Sequence, residues 1–352
     1  MATTDNELPI ENVKSVFASL RVNDYKYLSV GLLGSAFALN MQLIAQGWMV
    51  YEMTSSAIKL TWVTLSFMIP QVVFSLLGGV LADRFAKKLI IAWAPFINGI
   101  ATLFMALIIF SGNADFSAFL VIGFLNGTAL ALSMPARTAF IPEVVGEDLV
   151  FNAMAFNSAC WNLARIVGPA AAGFIIAIFA DGNTTSSFGV GLVYVILSLL
   201  YFVSAVSVLF IVHSGRPTQT QKRSALKDMQ AALRYVVNSP IVGGLILLSI
   251  LPFLFGLSIN TLLPAFSTDV LNGGPEDLGL LMTGMGFGAI LGSLTLAKMS
   301  SVTKKGFWII GTGALWGALI AIFSTTNDYL ISTIVIGFIG FVSAINMSMN
   351  RS

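Results

Sequence analysis

The sequence predicts an all-α polytopic membrane protein with about ten transmembrane helices, and two observations carry this prediction. Of the 352 residues, 57% are hydrophobic and only 10% are charged, whereas a soluble domain carries roughly 25% charged residues. The chain also contains repeated apolar runs of about twenty residues, each long enough as a helix to cross roughly 30 Å of hydrocarbon. A soluble globular protein is therefore excluded.

Ten apolar segments follow one another along the chain, separated by short polar stretches such as 111–115 and 181–187. Each segment is predicted to form one membrane-spanning helix. The first has full spanning length and no small-residue cleavage site, so it is predicted to stay in the membrane. The segments cover residues 27–51, 61–82, 89–111, 117–136, 152–180, 188–212, 241–266, 278–297, 306–325 and 329–349.

The basic residues indicate the orientation of these spans. Sixteen of the eighteen Lys and Arg residues fall in the N-terminal segment, in the loops after even-numbered spans, or at the C-terminus. Lys59 lies on the opposite side, and Arg165 lies within the fifth span. The positive-inside rule therefore places both ends of this chain in the cytoplasm. The expected location is a bacterial-type plasma (inner) membrane.

The chain is predicted to have four regions. Within the third, residues 225–237 have the pattern of an amphipathic helix that lies along the inner membrane surface. A shorter acidic element, residues 142–150, is predicted to be solvated. The four regions are a cytoplasmic segment 1–24, a six-helix bundle 25–213, a cytoplasmic linker 214–240, and a partial bundle of four helices 241–352.

Residues for catalysis and metal binding are scarce. His213 is the one histidine and Cys160 the one cysteine, which excludes a His-based metal cluster, a Ser-His-Asp arrangement and an internal disulfide. No phosphate-binding loop is present, and a net charge of +2 is too small to indicate nucleic-acid binding. We therefore expect no enzymatic activity, cofactor, metal or nucleic-acid partner.

The loop after the second span has a counterpart after the eighth. The first reads Gly79-Val-Leu-Ala-Asp83-Arg84-Phe-Ala86-Lys87-Lys88, and the second begins at Gly292 and continues through Lys298 to Lys304-Lys305. A small residue near a helix end, a cytoplasmic turn and paired lysines thus recur six spans apart. Such recurrence indicates two parallel repeats.

These residues resemble the loop signature of the major facilitator superfamily, with Ala86 in place of the usual glycine. A second stretch, from Arg137 through Pro142 to Gly168-Pro169-Ala-Ala-Ala-Gly173, resembles the fifth-helix motif of the superfamily's exporters, with Ala172 where a second glycine often stands. Together they resemble the branch that contains enterobactin exporters and macrolide efflux proteins, over nearly the whole chain.

The resemblance implies twelve helices in two six-helix bundles, around a central cavity that opens alternately to each side. Because ten spans are predicted here, we expect the chain to be truncated at Ser352, with two helices of the second bundle absent. The resemblance also implies a conformational gate in which Asp83 faces the N-terminus of the eleventh helix; a solvated loop that only obeys the topology is the alternative. The gate residues are Gly79, Asp83, Arg84, Lys87 and Lys88.

The fifth span carries two further candidates. Gly168, Pro169 and Gly173 predict a helix bend used in alternating access, or else static close packing. Arg165 is predicted to lie well inside the span, where a charge costs at least about 2.5 kcal/mol by insertion scales, so it is the first candidate for a substrate or coupling contact. Snorkelling, or capping by Asn162, is the alternative.

Polar residues inside the other spans are candidates for lining the cavity. Each could instead bond to a neighbouring helix or to its own backbone. The candidates besides Arg165 are Asn40, Gln42, Asn126, Asn157, Asn162, Asn260 and Asn346.

The resemblance implies a secondary active exporter of a small amphipathic molecule, such as a siderophore or a hydrophobic drug, which works as a monomer in the lipid bilayer. Protons as coupling ion are implied by the resemblance alone, because none of the sixteen Asp and Glu residues lies in the middle of a predicted span. A truncated, non-transporting remnant or membrane binding protein is the competing hypothesis. No short sequence motif identifies the substrate.

Overall fold

The computed structural model describes residues 17–179, 187–216, 258–298 and 305–350, together with positions 234, 238, 239, 244 and 256. These residues form ten long or medium α-helices and two short 3-10 helices, Ala18–Arg21 and Glu147–Leu149. The α-helices are α1 Asn23–Thr54, α2 Ala57–Arg84, α3 Lys87–Phe110, α4 Phe116–Val145, α5 Val150–Phe179, α6 Ser187–Leu209, α7 Ser258–Asp269, α8 Pro275–Lys298, α9 Lys305–Phe323 and α10 Tyr329–Asn350.

Nine of the ten predicted spans are confirmed as helices. Nine of the described helices are long and apolar enough to cross a membrane. The remaining helix, α7, covers only the end of the predicted seventh span. The rest of that span lies outside the described part of the chain, apart from positions 244 and 256. The predicted amphipathic helix 225–237 also lies outside it, apart from position 234, as do residues 1–16 of the N-terminal segment.

The connections between the first helices are tight, and local polar groups stabilise them. Only residues 55 and 56 separate α1 from α2: Ser55 adopts a left-handed conformation with φ 46°, and Ser56 accepts the Lys59 N–H at the start of α2. At the start of α4, Asp115 accepts the Ala118 N–H at 2.9 Å and the Ser117 hydroxyl at 2.7 Å. These two bonds, the one from Ser117 foremost, hold the pKa of the Asp115 carboxyl below its usual range.

The predicted boundary between the fourth span and a separate acidic element is wrong. The fourth span was predicted to end at residue 136, but α4 continues through Pro142 to Val145. The reason is packing: Phe140 and Ile141 beyond the predicted end are buried, and they extend the apolar stripe of α4 by two more turns. Arg137 therefore belongs to a buried helix and not to a solvated loop.

The helices pack as two groups with the same internal pattern. In the first half, α1–α6, helix α2 packs against α4 and α3 packs against both α4 and α6. In the second half, α7–α10, helix α8 packs against α10 and α9 packs against α10. Because α8, α9 and α10 repeat the contacts of α2, α3 and α4, the packing supports the repeat that the paired loops predicted.

Glycines set the closest of these contacts. A Cβ at Gly127 of α4 would overlap the Phe67 carbonyl oxygen of α2, and a Cβ at Gly340 of α10 would overlap the Met285 carbonyl oxygen of α8. In a bilayer, helices associate through close packing of small residues because lipid tails are as apolar as the helix surface. A close glycine contact therefore joins α2 to α4 in the first half and the corresponding pair, α8 and α10, in the second.

We expect Gly127→Ala to lower the free energy of unfolding by about 1–3 kcal/mol, because the added methyl group must push α2 away from α4. The matched control is Gly311→Ala in α9, where an added Cβ meets nothing within 4 Å. Thermal unfolding of the purified protein in detergent measures both. Equal unfolding temperatures for the two variants would contradict the close α2–α4 contact.

Candidate functional site

The two halves meet from one end of the molecule, here called the Tyr51 end, which carries the α1–α2 turn, to the middle of helices α5 and α8. The Tyr51 hydroxyl of α1 donates a short hydrogen bond to the Asp269 carboxylate at the end of α7. The Thr64 hydroxyl of α2 lies 3.5 Å from that of Thr261 in α7. Both contacts join a helix of the first half to a helix of the second.

Helices α5 and α8 form the other part of this contact. A Cβ at Gly173 of α5 would lie 2.5 Å from the Pro275 carbonyl oxygen at the start of α8, and one at Gly279 would lie 3.3 Å from the Pro169 carbonyl oxygen. Gly168 faces α1 instead, where a Cβ would lie 3.0 Å from Asn40 Cβ. The predicted bend motif is thus a close-packing motif in this conformation, and it brings α5 against both α1 and α8.

The predicted gate residues lie at the opposite end, here called the Asp83 end, and they divide into two groups. Asp83 and Arg84 are exposed, and a Cβ at Gly79 would meet nothing within 4 Å. Lys87, by contrast, is buried, and its ammonium nitrogen lies 2.8 Å from a carboxylate oxygen of Glu143 in α4. The structure therefore does not bring the five predicted gate residues together.

Lys87 and Lys88 anchor the chain that leaves α6. The Lys87 backbone N–H donates to the Gly215 carbonyl at 3.1 Å, and the Lys88 ammonium donates to the Leu209 and Ile211 carbonyls at 2.9 and 2.6 Å. These bonds hold the start of the linker between the halves against α3.

His213 and Asp24 add to this anchor. His213 Nε2 lies 3.7 Å from the Glu143 carboxylate. The Asp24 carboxylate accepts the backbone N–H groups of Val212 and His213 at 3.0 and 2.8 Å. The paired lysines of the sequence motif are thus part of a network that fixes the linker to the first half.

Four of the eight predicted cavity residues make hydrogen bonds to a neighbouring helix or within their own helix. Asn40 donates to the Ala36 carbonyl of its own helix. Asn126 of α4 donates to Gln42 of α1 at 2.9 Å, and Asn346 of α10 donates to the Ile309 carbonyl and the Thr312 hydroxyl of α9, both at 2.9 Å. These four side chains join or stabilise helices in this conformation.

The remaining candidates lie on α5 and α7. Arg165 and Asn162 are exposed on α5, on a surface that continues toward the Asp83 end through Ser158 and Met154. The buried side-chain oxygens of Asn157 and Asn260 have no hydrogen-bond donor among the described residues.

One buried charge was missed by the sequence analysis. Arg137 of α4 is only 6% exposed, and its Nη2 donates to the Ser35 hydroxyl of α1 at 3.3 Å. It was assigned to a loop because the prediction ended the fourth span at residue 136, next to Pro135. The buried positions Ser133, Ala136, Arg137 and Phe140 follow helical spacing through that proline, and this pattern could have placed Arg137 inside the bundle.

Comparison with known proteins decides the family. Residues 14–349 match the family model described as transmembrane secretion effector. The chain belongs to this family of the major facilitator superfamily.

The transporter is similar to the enterobactin exporter EntS of Citrobacter koseri, with 24% identity over 323 residues that cover 91% of this chain and 72% of the relative. It is similar at 24% identity over 320 residues to EntS of Escherichia coli O1:K1, again covering 91% and 72%.

Two solved structures share its fold. One is a D-xylose–proton symporter, with TM-score 0.69, 15% identity, and coverage of 93% of this chain and 81% of the symporter. The other is a bacterial homologue of the lysosomal transporter Spinster in an inward-facing, occupied conformation, with TM-score 0.65, 18% identity, and coverage of 92% and 73%. The predicted superfamily fold is confirmed, and the chain is a secondary transporter embedded in the lipid bilayer that acts on a small molecule.

The contact between the halves is narrower than the packing within them. It consists of α5 against α8 from Gly173 to Gly286, with apolar side chains around it, and of the hydrogen bonds at the Tyr51 end. Interhelical hydrogen bonds in membranes average about 0.6 kcal/mol. Within the first half, each helix packs against several others. Each half can therefore move as a unit while the contact between them breaks and re-forms.

We expect Glu143→Gln to destabilise the transporter by about 1–3 kcal/mol, because it leaves the ammonium group of Lys87, whose side chain is 10% exposed, without its anion. Glu147→Gln is the control, since Glu147 is exposed in the short 3-10 helix that follows α4. Thermal unfolding followed by tryptophan fluorescence compares them. If the two variants unfold at the same temperature, the ion pair does not stabilise the linker anchor.

Proposed function

We propose that this transporter exports a small amphipathic molecule of the siderophore type from the cytoplasm, by alternating access. The single observation that carries the proposal is the arrangement of the halves: they are joined at the Tyr51 end, while Asp83 and Arg84 are exposed at the other end. A contact at one end and an exposed gate motif at the other is what a state open to one side of the membrane requires.

The distribution of basic residues gives this state a direction. The Asp83 end carries Arg84, Lys87 and Lys88, and the Tyr51 end carries Lys59. By the positive-inside rule the Asp83 end faces the cytoplasm, so both ends of this chain are cytoplasmic and the state is open inward. The membrane is a bacterial inner membrane, as the enterobactin exporters among the relatives support.

The substrate class is inferred from those relatives. A siderophore of the enterobactin type is the first candidate, and a hydrophobic drug of comparable size is the second. The transporter works as a monomer with protons as coupling ion, an assignment that rests on the superfamily alone.

We assign two roles to exposed side chains. Asp83, with Arg84 beside it, contacts the second half when the Asp83 end closes, where its negative charge is stabilised by a helix N-terminus by roughly 0.3–1 kcal/mol. Arg165 is the first contact for the substrate, with Asn162 one turn away on the exposed surface of α5. Gly168, Pro169 and Gly173 let α5 bend while the halves move.

We expect Asp83→Asn and Arg165→Ala each to reduce export at least fivefold, the first by weakening closure and the second by weakening substrate binding. The measurement is efflux of enterobactin from intact cells that lack their own exporter and express the protein. Asp148→Asn is the control, because Asp148 is an exposed carboxylate at the same end, outside the predicted gate.

The outcomes test the residue assignments and the exporter proposal separately. If the unsubstituted protein exports enterobactin and both variants export it equally well, the residue assignments are wrong. If purified protein binds enterobactin but vesicles show no flux, the exporter proposal fails and a membrane binding protein is supported instead.

A further inference from the structure

Arg137 is a buried cation for which the described part of the structure provides no counter-charge. It lies eight residues, or about 12 Å along the helix axis, before the end of α4, inside the bundle formed by α1, α3, α4 and α6. No described carboxylate lies within ion-pair distance, and its Nε has no hydrogen-bond acceptor among the described residues. Because charged side chains inside a membrane are almost always paired or hydrated, this arrangement is incomplete as it stands.

The one hydrogen bond described for Arg137 does not neutralise it. Ser204 donates to the Gly31 carbonyl at 2.6 Å, so the Ser35 hydroxyl, 2.7 Å from Ser204, is the donor in their contact. The lone pairs of Ser35 then face Arg137 Nη2. This chain of hydroxyls fixes the guanidinium in place, but every member of it is neutral.

A small cavity adjoins the guanidinium. Its volume is about 20 Å³, measured as the space open to the centre of a water-sized particle, where one water needs roughly 10–15 Å³ by the same measure. The polar side chains on its wall come from four different helices and are all at least nine-tenths buried. They are Ser35, Asn98, Asn126, Ser133, Arg137 and Tyr201.

These walls suit an anion. Arg137 supplies a positive charge and N–H donors, and the Tyr201 hydroxyl can donate an O–H bond. Rotation of the Asn98 amide, whose oxygen has no described partner, presents its NH2 group to the cavity. The hydroxyls of Ser35 and Ser133 already donate to Ser204 and to the Leu130 carbonyl. A water molecule would satisfy one N–H but would leave the net charge of +1 buried inside the bundle. A halide neutralises that charge and accepts several donors at once, with a size that the cavity admits.

We propose that the cavity at Arg137 is a binding site for one small monovalent anion, with chloride as its physiological occupant. The anion completes the polar interior of the first half and makes its stability depend on chloride. The site is independent of the transported substrate, so it can be present whether or not the protein exports a siderophore.

The test is the unfolding temperature of the purified full chain in lipid nanodiscs, with sodium chloride exchanged for sodium gluconate at constant ionic strength. We expect a saturable rise of several degrees with chloride, reproduced by bromide. Gluconate, which is much larger, and sulfate, whose second negative charge one guanidinium does not neutralise, should not reproduce it. Arg137→Gln should abolish the rise. Arg84→Gln, the same substitution at an exposed position, should retain it.

Two further measurements apply if Arg137→Gln does not fold. Tyr201→Phe keeps the charge and removes one donor, so the half-saturating chloride concentration should rise several-fold. Equilibrium binding of radioactive chloride to the unsubstituted protein should saturate at one ion per chain. Equal unfolding temperatures in chloride and gluconate, or a chloride effect that persists in Arg137→Gln, would overturn the proposal.

Discussion

In the hydrocarbon of a bilayer, each peptide N–H and C=O must find its partner within the protein, and this constraint governs the whole structure. It makes every described span a helix, and it lets α4 continue through Pro135 and Pro142 where a soluble protein of the same sequence pattern would end the helix. It also removes the usual hydrophobic drive between helices, so that association depends on close contact and on buried hydrogen bonds. Gly127 packs closely against the Phe67 backbone, and Ser35 forms a buried hydrogen bond with Ser204.

The same constraint explains why the halves are stable units with a narrower contact between them. Within the first half, buried bonds such as Ser198 to the Gly99 carbonyl join helices that also pack along much of their length. Between the halves, the described contacts involve fewer helices: they run from the Tyr51 end to the middle of α5 and α8, where a Cβ at Gly286 would overlap the Ile166 side chain. A transporter needs this difference, because its two halves must keep their shape while the contact between them changes.

The sequence was sufficient to predict the helices, the repeat and the superfamily, because each depends on local composition or on a short motif. It was less informative about the site. Asn40, Gln42 and Asn346 were candidates for the cavity because they are polar residues in apolar spans, but their bonds depend on which helix faces them, which only packing determines. Arg137 was missed for the opposite reason, since its burial depends on α4 continuing past a proline. The separation of Lys87 from Asp83 likewise follows from the position of Glu143, which the sequence places 56 residues away.

The central claim is that transport requires the halves to separate at the Tyr51 end. A direct measurement is flux in proteoliposomes with Cys160 replaced by alanine and cysteines introduced at Thr64 and Thr261, whose hydroxyls are 3.5 Å apart. Oxidation should close a disulfide between α2 and α7 and stop flux, and a reductant should restore it. The control is a cysteine pair at Thr326 and Ser332, whose hydroxyl oxygens are 2.6 Å apart within the second half. This pair should cross-link without loss of flux. Undiminished flux with the Thr64–Thr261 pair fully cross-linked would contradict the account.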